Sequence, residues 1–177
     1  MATHALLLRG INVGPTTKLG MADLRDLLGE LGHSDVRTHL RSGNVVLTPR
    51  DLSGLGDEVE RAIAERFGLE VRVLVRSRAD LTAITNGNPL PEAADDPARF
   101  VVVFLEGEPA PGRVTSLDPQ TYEPDRFQIQ GREIYQWSPN GLSKTKLTTT
   151  FWERQLGVAG TARNWKTVLA LLRMLEE

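Results

Sequence analysis

The stretch VRTHLRSGNVVLT, residues 36–48, decides how the chain folds. Val36, Thr38 and Leu40 alternate with Arg37, His39 and Arg41, the period of a strand with one buried face. Ser42-Gly43-Asn44 is a turn signal, Val45 to Thr48 form the returning strand, and Pro49 closes it. Upstream, residues 5–13 (ALLLRGINV) read as a strand buried on both faces for most of its length. Between the two, Met21, Leu24, Leu27, Leu28 and Leu31 fall at helical spacing, and Gly32 ends that helix. Downstream, Val59, Ala62, Ile63 and Phe67 mark a second amphipathic helix, and Val71, Val73 and Val75 a fourth strand.

That order is βαββαβ over residues 5–76, the ferredoxin-like split βαβ arrangement with two helices on one face of a four-stranded antiparallel sheet. Right-handed crossovers fix the strand order as 4-1-3-2, so strands one and three are neighbours. The turn at 42–44 then lies near the end of strand one. This predicts that Arg9, Asn12, Ser42 and Asn44 come together.

The rest of the chain reads as a second, similar but less regular α+β half. Ser77 and Asp80 resemble a capping box that starts a short helix through Leu81 and Ile84, and Asn86-Gly87-Asn88-Pro89 stops it. Seven of the ten prolines lie between positions 89 and 124, so this stretch reads as loop apart from a strand at Arg99 to Leu105. Phe127 to Ile129 and Ile134 to Trp137 form a hairpin around Gly131. Two helices follow. One covers 144–156, with Leu147, Phe151 and Leu156 inward and Lys144 and Lys146 at its start. The other covers 162–175, with Thr161 as its cap and Trp165, Val168, Leu169, Leu172 and Leu175 inward. The expected organisation is a ferredoxin-like half at 1–76, a helix and proline-rich linker at 77–98, and a second α+β half at 99–177 ending in two helices.

Composition narrows the chemistry. The chain has 177 residues, a formal net charge of −2 and no cysteine. The missing cysteine excludes disulfides, thiol nucleophiles, iron–sulfur clusters and cysteine-ligated zinc. The longest apolar run, Phe100 to Leu105, is far short of the roughly 20 residues needed to span a bilayer. MATHALLLRG has no basic n-region, so a cytoplasmic location without membrane association is expected. Charge is uneven: six basic and four acidic residues over 1–50, seven and fourteen over 51–124, and eight and five over 125–177. This lacks the strongly basic footprint of a duplex nucleic-acid binder. Strands one and three carry no aromatics, which argues against base stacking on the sheet. His4, His33 and His39 lack metal-ligand spacing, no paired carboxylates stand out, and nothing calls for a cofactor.

Four strings, LLRGINVG (Leu7 to Gly14), SGNVV (Ser42 to Val46), LSKTKL (Leu142 to Leu147) and TARNW (Thr161 to Trp165), occur in order along nearly the whole chain. Together they resemble a bacterial family known as domain of unknown function 1697. The resemblance implies an α+β fold with two ferredoxin-like halves and carries over no reaction. Its motif positions fall here on Arg9, Gly10, Asn12, Gly14, Ser42, Gly43, Asn44, Lys144, Arg163, Asn164 and Trp165. The family shows a second glycine after Gly14. Pro15 takes that place here and removes a backbone N–H from any anion-wrapping loop.

Three separate segments each combine a basic residue with a turn or a helix start: Arg9 to Gly14, Lys144 to Lys146, and Arg163-Asn164. Glycines at a strand end allow a ligand close to the backbone, and arginine offers a planar fork for phosphate or carboxylate. The expected function is a module binding an anionic or phosphorylated small molecule, such as a nucleotide, between the two halves. Its site would draw on Arg9, Asn12, Gly14, Ser42, Asn44, Lys144, Arg163 and Asn164. Two other readings stay open. One is a small hydrolase or transferase using the same polar cluster, and the other is a structural or interaction module with no ligand.

Overall fold

The computed structural model describes residues 1–177, which form two compact units: Met1–Thr82 with Ala170–Glu177, and Ala83–Leu169. In the first, strands β1 (His4–Arg9), β2 (Ser34–His39), β3 (Asn44–Thr48) and β4 (Arg72–Ser77) form an antiparallel sheet in the order β2-β3-β1-β4. Helices α1 (Met21–Glu30) and α2 (Leu55–Phe67) occupy the two crossovers. Leu6 and Leu8 of β1, Val45 and Leu47 of β3 and Val73 of β4 bury one sheet face against Leu24, Leu27 and Leu28 of α1 and Val59 and Ile63 of α2. Element order and strand order both match the sequence reading.

In the second unit, β5 (Phe100–Leu105), β6 (Arg126–Gln130), β7 (Glu133–Trp137) and β8 (Gly160–Asn164) are ordered β6-β7-β5-β8, the same sequence of places as in the first sheet. A short helix, α4 (Pro111–Thr115), lies between β5 and β6, and α5 (Thr149–Leu156) lies between β7 and β8. One further helix follows the last strand of each sheet: α3 (Arg78–Asn86) after β4 and α6 (Trp165–Glu176) after β8. The second core gathers Val103, Leu105, Ile134, Leu147, Trp152 and Leu156. Around them Tyr122, Phe127, Phe151 and Trp152 meet edge to face, with centroids 5.0 Å apart for Phe127 and Trp152. The buried Trp152 indole donates to Gln136 Oε1 at 2.8 Å, so the polar atoms in this core are satisfied. None of the helices is long and apolar enough to cross a membrane.

Several sequence expectations need correction. The first strand ends at Arg9 rather than residue 13, because Gly10 (φ 84°) and Asn12 (φ 55°) turn the chain out of extended geometry. Leu40 does not point inward. It takes φ 62° in the hairpin turn and is 57 % exposed. The proline-rich stretch contains α4, which offers the core only the half-buried Val114 and so leaves no periodic signature. α5 begins at Thr149, where Thr148 caps it by accepting from Phe151 N, and Lys144 and Lys146 lie in the irregular connection before it. The second half does not end in two consecutive helices: β8 stands between them, pairing with β5 from Val101↔Asn164 to Leu105↔Gly160. The cap of α6 is therefore Asn164, whose Oδ1 accepts from Thr167 N, and not Thr161. On α6 Leu171 is buried and Leu169 is exposed. The capping box at Ser77 and Asp80 is present in both directions, at 2.8 and 3.0 Å.

His33 follows α1 with its side chain fully covered. Its Nδ1 accepts from Arg50 N at 3.1 Å, its Nε2 has no hydrogen-bond partner, and Glu58 Oε2 lies 3.5 Å from that nitrogen. Burial lowers its pKa below 6.5, against the raising influence of Glu58. The imidazole is thus held neutral in the fold and takes up a proton more readily when unfolded. Its contribution to stability is complete above pH 6.5 and is lost as the pH falls toward the folded-state pKa. His4, also lowered by burial, adds in the same direction. Urea denaturation between pH 7.5 and 5 is expected to show stability falling with pH, and His33→Gln is expected to flatten that slope.

Candidate functional site

β1 leaves the sheet at Arg9, and the loop from Gly10 to Gly20 returns to α1. Asn12 binds this loop to the neighbouring hairpin. Its Nδ2 donates to Leu19 O (3.0 Å) and Arg41 O (2.6 Å), and its Oδ1 accepts from Leu19 N (3.0 Å). On the hairpin side, the fully buried Asn44 donates to His39 O at 2.8 Å and to Ser42 Oγ at 3.0 Å. Gly43 is required by close approach. At φ 92°, an added Cβ would sit 2.8 Å from both Leu8 Cβ and Ile11 Cδ1. The expected convergence of Asn12, Ser42 and Asn44 is therefore present, and the hydrogen bonds of both amides hold turns in place. Gly14 (φ 135°) lies at the exposed tip beside Val13, which is 76 % exposed.

Arg9 faces a different feature. A cavity of about 690 Å³ is bounded by Arg9 and Gly10 at the end of β1 and by Glu70, Val71 and Arg72 at the start of β4. Its opposite wall is one face of α2, where Asp57, Glu60, Arg61 and Ala64 recur at i, i+3, i+4 and i+7. Arg9 and Arg72 are direct partners in the β1–β4 register. Like charges placed opposite one another on adjacent strands repel unless something negative lies between or beside them. Glu60 already uses Oε1 to accept from Val73 N at 2.8 Å. Three guanidinium groups from three elements thus line one concavity, together with three carboxylates.

In the second unit the expected residues separate. Lys144 lines a cavity of about 320 Å³. Arg163 is buried on β8 and donates to Thr161 Oγ1 at 2.7 Å and Ala162 O at 2.9 Å. Burial pulls its pKa down to about 10, so it is still charged at neutral pH. Asn164 is spent on the cap of α6. Trp165 is a core anchor stacked on Phe100 at 4.8 Å. No group of three His, Asp or Glu side chains is arranged to hold a metal ion.

The sequence reading missed Arg61 and Arg72 as cavity residues. Both were within reach of it, because the strand order puts the start of the fourth strand beside the end of the first. The i, i+3, i+4, i+7 set on α2 is also visible in the string. The buried Arg76 was missed as well. It lies in β4, the strand that occupies in the first sheet the place of β8 in the second, and donates to Val75 O at 3.0 Å.

Two antiparallel sheets of matching strand order, each with helices in its crossovers, define a duplicated α+β architecture. The model of the family described as protein of unknown function (DUF1697) matches residues 1–135, and the chain belongs to that family. The match includes Arg9, Asn12, Ser42 and Asn44 and ends before Lys144 and Arg163. Among solved structures, the conserved bacterial protein SP0830 from Streptococcus pneumoniae is similar over 100 % of this chain and 99 % of its own, at 28 % identity and a TM-score of 0.78. No curated protein matches the chain.

Asn12→Ala removes two hydrogen bonds within the 10–20 loop and one to the neighbouring hairpin, and leaves alanine at φ 55°. The expected cost is about 2 kcal/mol of folding stability by chemical denaturation, with α1 and the sheet retained by circular dichroism. A loss under about 0.5 kcal/mol, the size of an ordinary surface change, would show that the amide does not brace the loops.

Proposed function

We propose that the protein is a cytoplasmic module that binds an anionic small molecule, and that the groove beside Arg9 is where the anionic group sits. The observation that carries this reading is the convergence of Arg9, Arg61 and Arg72 on one cavity of about 690 Å³. Guanidinium groups match phosphate and carboxylate oxygens two at a time, and they stay charged at any physiological pH. The volume suits a metabolite rather than a bare ion. Gly10 adds room: an added Cβ there would meet nothing within 4 Å, so the backbone can be approached directly.

The carboxylates of Asp57, Glu60 and Glu70 restrict the class further. A ligand that also offers donors to that wall gains more there than one bearing only negative charge. A phosphorylated compound that also carries hydroxyl or amino donors satisfies both, which describes nucleotides and sugar phosphates. The role of Asn12, Ser42 and Asn44 in this reading is to fix the exit of β1 that presents Arg9.

A panel of nucleotides and sugar phosphates, scored by thermal shift, tests the proposal. At least one member is expected to raise the melting temperature in a concentration-dependent way. Arg61 and Arg72 are exposed, so Arg61→Ala and Arg72→Ala should leave the unliganded melting temperature nearly unchanged. Each should weaken binding about tenfold, the loss of one charge-assisted contact. A panel with no effect, or binding indifferent to both substitutions, overturns the reading.

A further inference from the structure

The two units repeat one topology, and the repeat exposes a place where they part. In the first unit, the connection from β3 to α2 takes six residues, 49–54. It lies against the segment that enters β2, and the space is filled. His33 is buried there, Arg50 N donates to its Nδ1, and Arg50 packs so closely on Gly32 that a Cβ would come within 2.8 Å of its Cδ. The matching connection in the second unit, from β7 to α5, takes eleven residues, 138–148. With the segment entering β6 it encloses an open cavity of about 320 Å³. Joining the strand to the helix needs only the short form. The extra length carries Ser143, Lys144, Thr145 and Lys146.

We infer that this cavity is a second anion site, one that takes a phosphate or pyrophosphate group through Lys144 and Lys146. Both lysines line it, and neither ammonium makes a hydrogen bond or ion pair, although Glu123 and Asp125 line the same cavity. Within the cavity Asp125 Oδ2 accepts from the Thr145 hydroxyl, at 2.5 Å, rather than from either lysine. Thr145 Oγ1 in turn accepts from Leu147 N at 3.0 Å, and Lys144 N donates to Gly141 O at 3.2 Å. The backbone that presents the lysines is therefore pinned on both sides of Thr145 while their charged ends stay uncommitted. Two lysines one residue apart on a pinned loop bring two cations to one cavity, where both can reach a phosphate or pyrophosphate. Asn140 supplies an amide donor at the rim. The site is independent of the arginine groove and survives the failure of that reading.

The test is titration of the ¹⁵N-labelled full chain with inorganic pyrophosphate, followed by amide chemical shifts. Saturable shifts are expected within 121–125 and 140–146. The double variant Lys144→Gln/Lys146→Gln should weaken that response at least about tenfold. Its melting temperature should match the native protein's, since neither ammonium has a partner to lose. Lys144→Arg/Lys146→Arg should retain binding, and Arg61→Ala should leave it untouched. Absence of shifts in these two segments at millimolar pyrophosphate rejects the site, as does a double glutamine variant that binds within about twofold of native. Shifts confined to residues 57–72 would also reject it while supporting the groove.

Discussion

The burial of β1 on both faces is the constraint from which the first unit follows. Ala5, Leu6 and Leu7 are fully covered and Leu8 is 1 % exposed. Its backbone polar groups, withdrawn from water with the side chains, are satisfied by pairing on both sides, with β3 and β4. That choice leaves β2 outside β3 and puts both crossover helices over Leu6 and Leu8. It also means that the last residue of the strand, Arg9, emerges beside the beginning of β4. The position of the arginine groove is thus a consequence of sheet order. The turn that allows the exit holds the non-glycine Asn12 at positive φ, and the Asn12 amide braces it.

Duplication makes the second unit a control for the first. β5 reproduces the double burial of β1, with every residue from Phe100 to Leu105 buried. An arginine is buried in the last strand of each sheet, Arg76 in β4 and Arg163 in β8, and each donates to the carbonyl of the residue before it. A buried guanidinium is costly without several acceptors, so its recurrence at corresponding strands points to a requirement of the architecture rather than to a ligand. This moves Arg163 away from the binding role that its motif suggested and toward a structural one. The long β7–α5 connection, by contrast, has no counterpart of its length in the first unit.

How much the sequence disclosed depended on where the physical cause lay. The first unit was legible because its signals are local: alternation, helical spacing and glycine stops, all in agreement. β8 was not, since GTARN has no apolar run and becomes a strand only because β5 offers it a ladder. The start of α5 was misplaced because several hydroxyl-bearing residues compete as caps, and Thr148 prevails through tertiary placement of Leu147 and Trp152 in the core. Leu40 reads as a core residue by type, yet the hairpin needs a left-handed position there and turns the side chain out. For the site, clustering of Asn12, Ser42 and Asn44 was deducible from strand order, whereas their occupation in bracing turns was not.

The two candidate sites use different cations, and the difference carries information about selectivity. The groove is lined by arginines on a strand end, a helix and a strand start, all fixed scaffolding. A planar guanidinium on a rigid element discriminates by geometry, and the facing carboxylates favour ligands that carry donors. The second cavity relies on lysines in a connection, each a point charge on a flexible stem. Such groups accept many oxyanion geometries and discriminate chiefly by charge. If both proposals hold, the groove would select the compound bound, and the loop would select only for a small, highly charged anion.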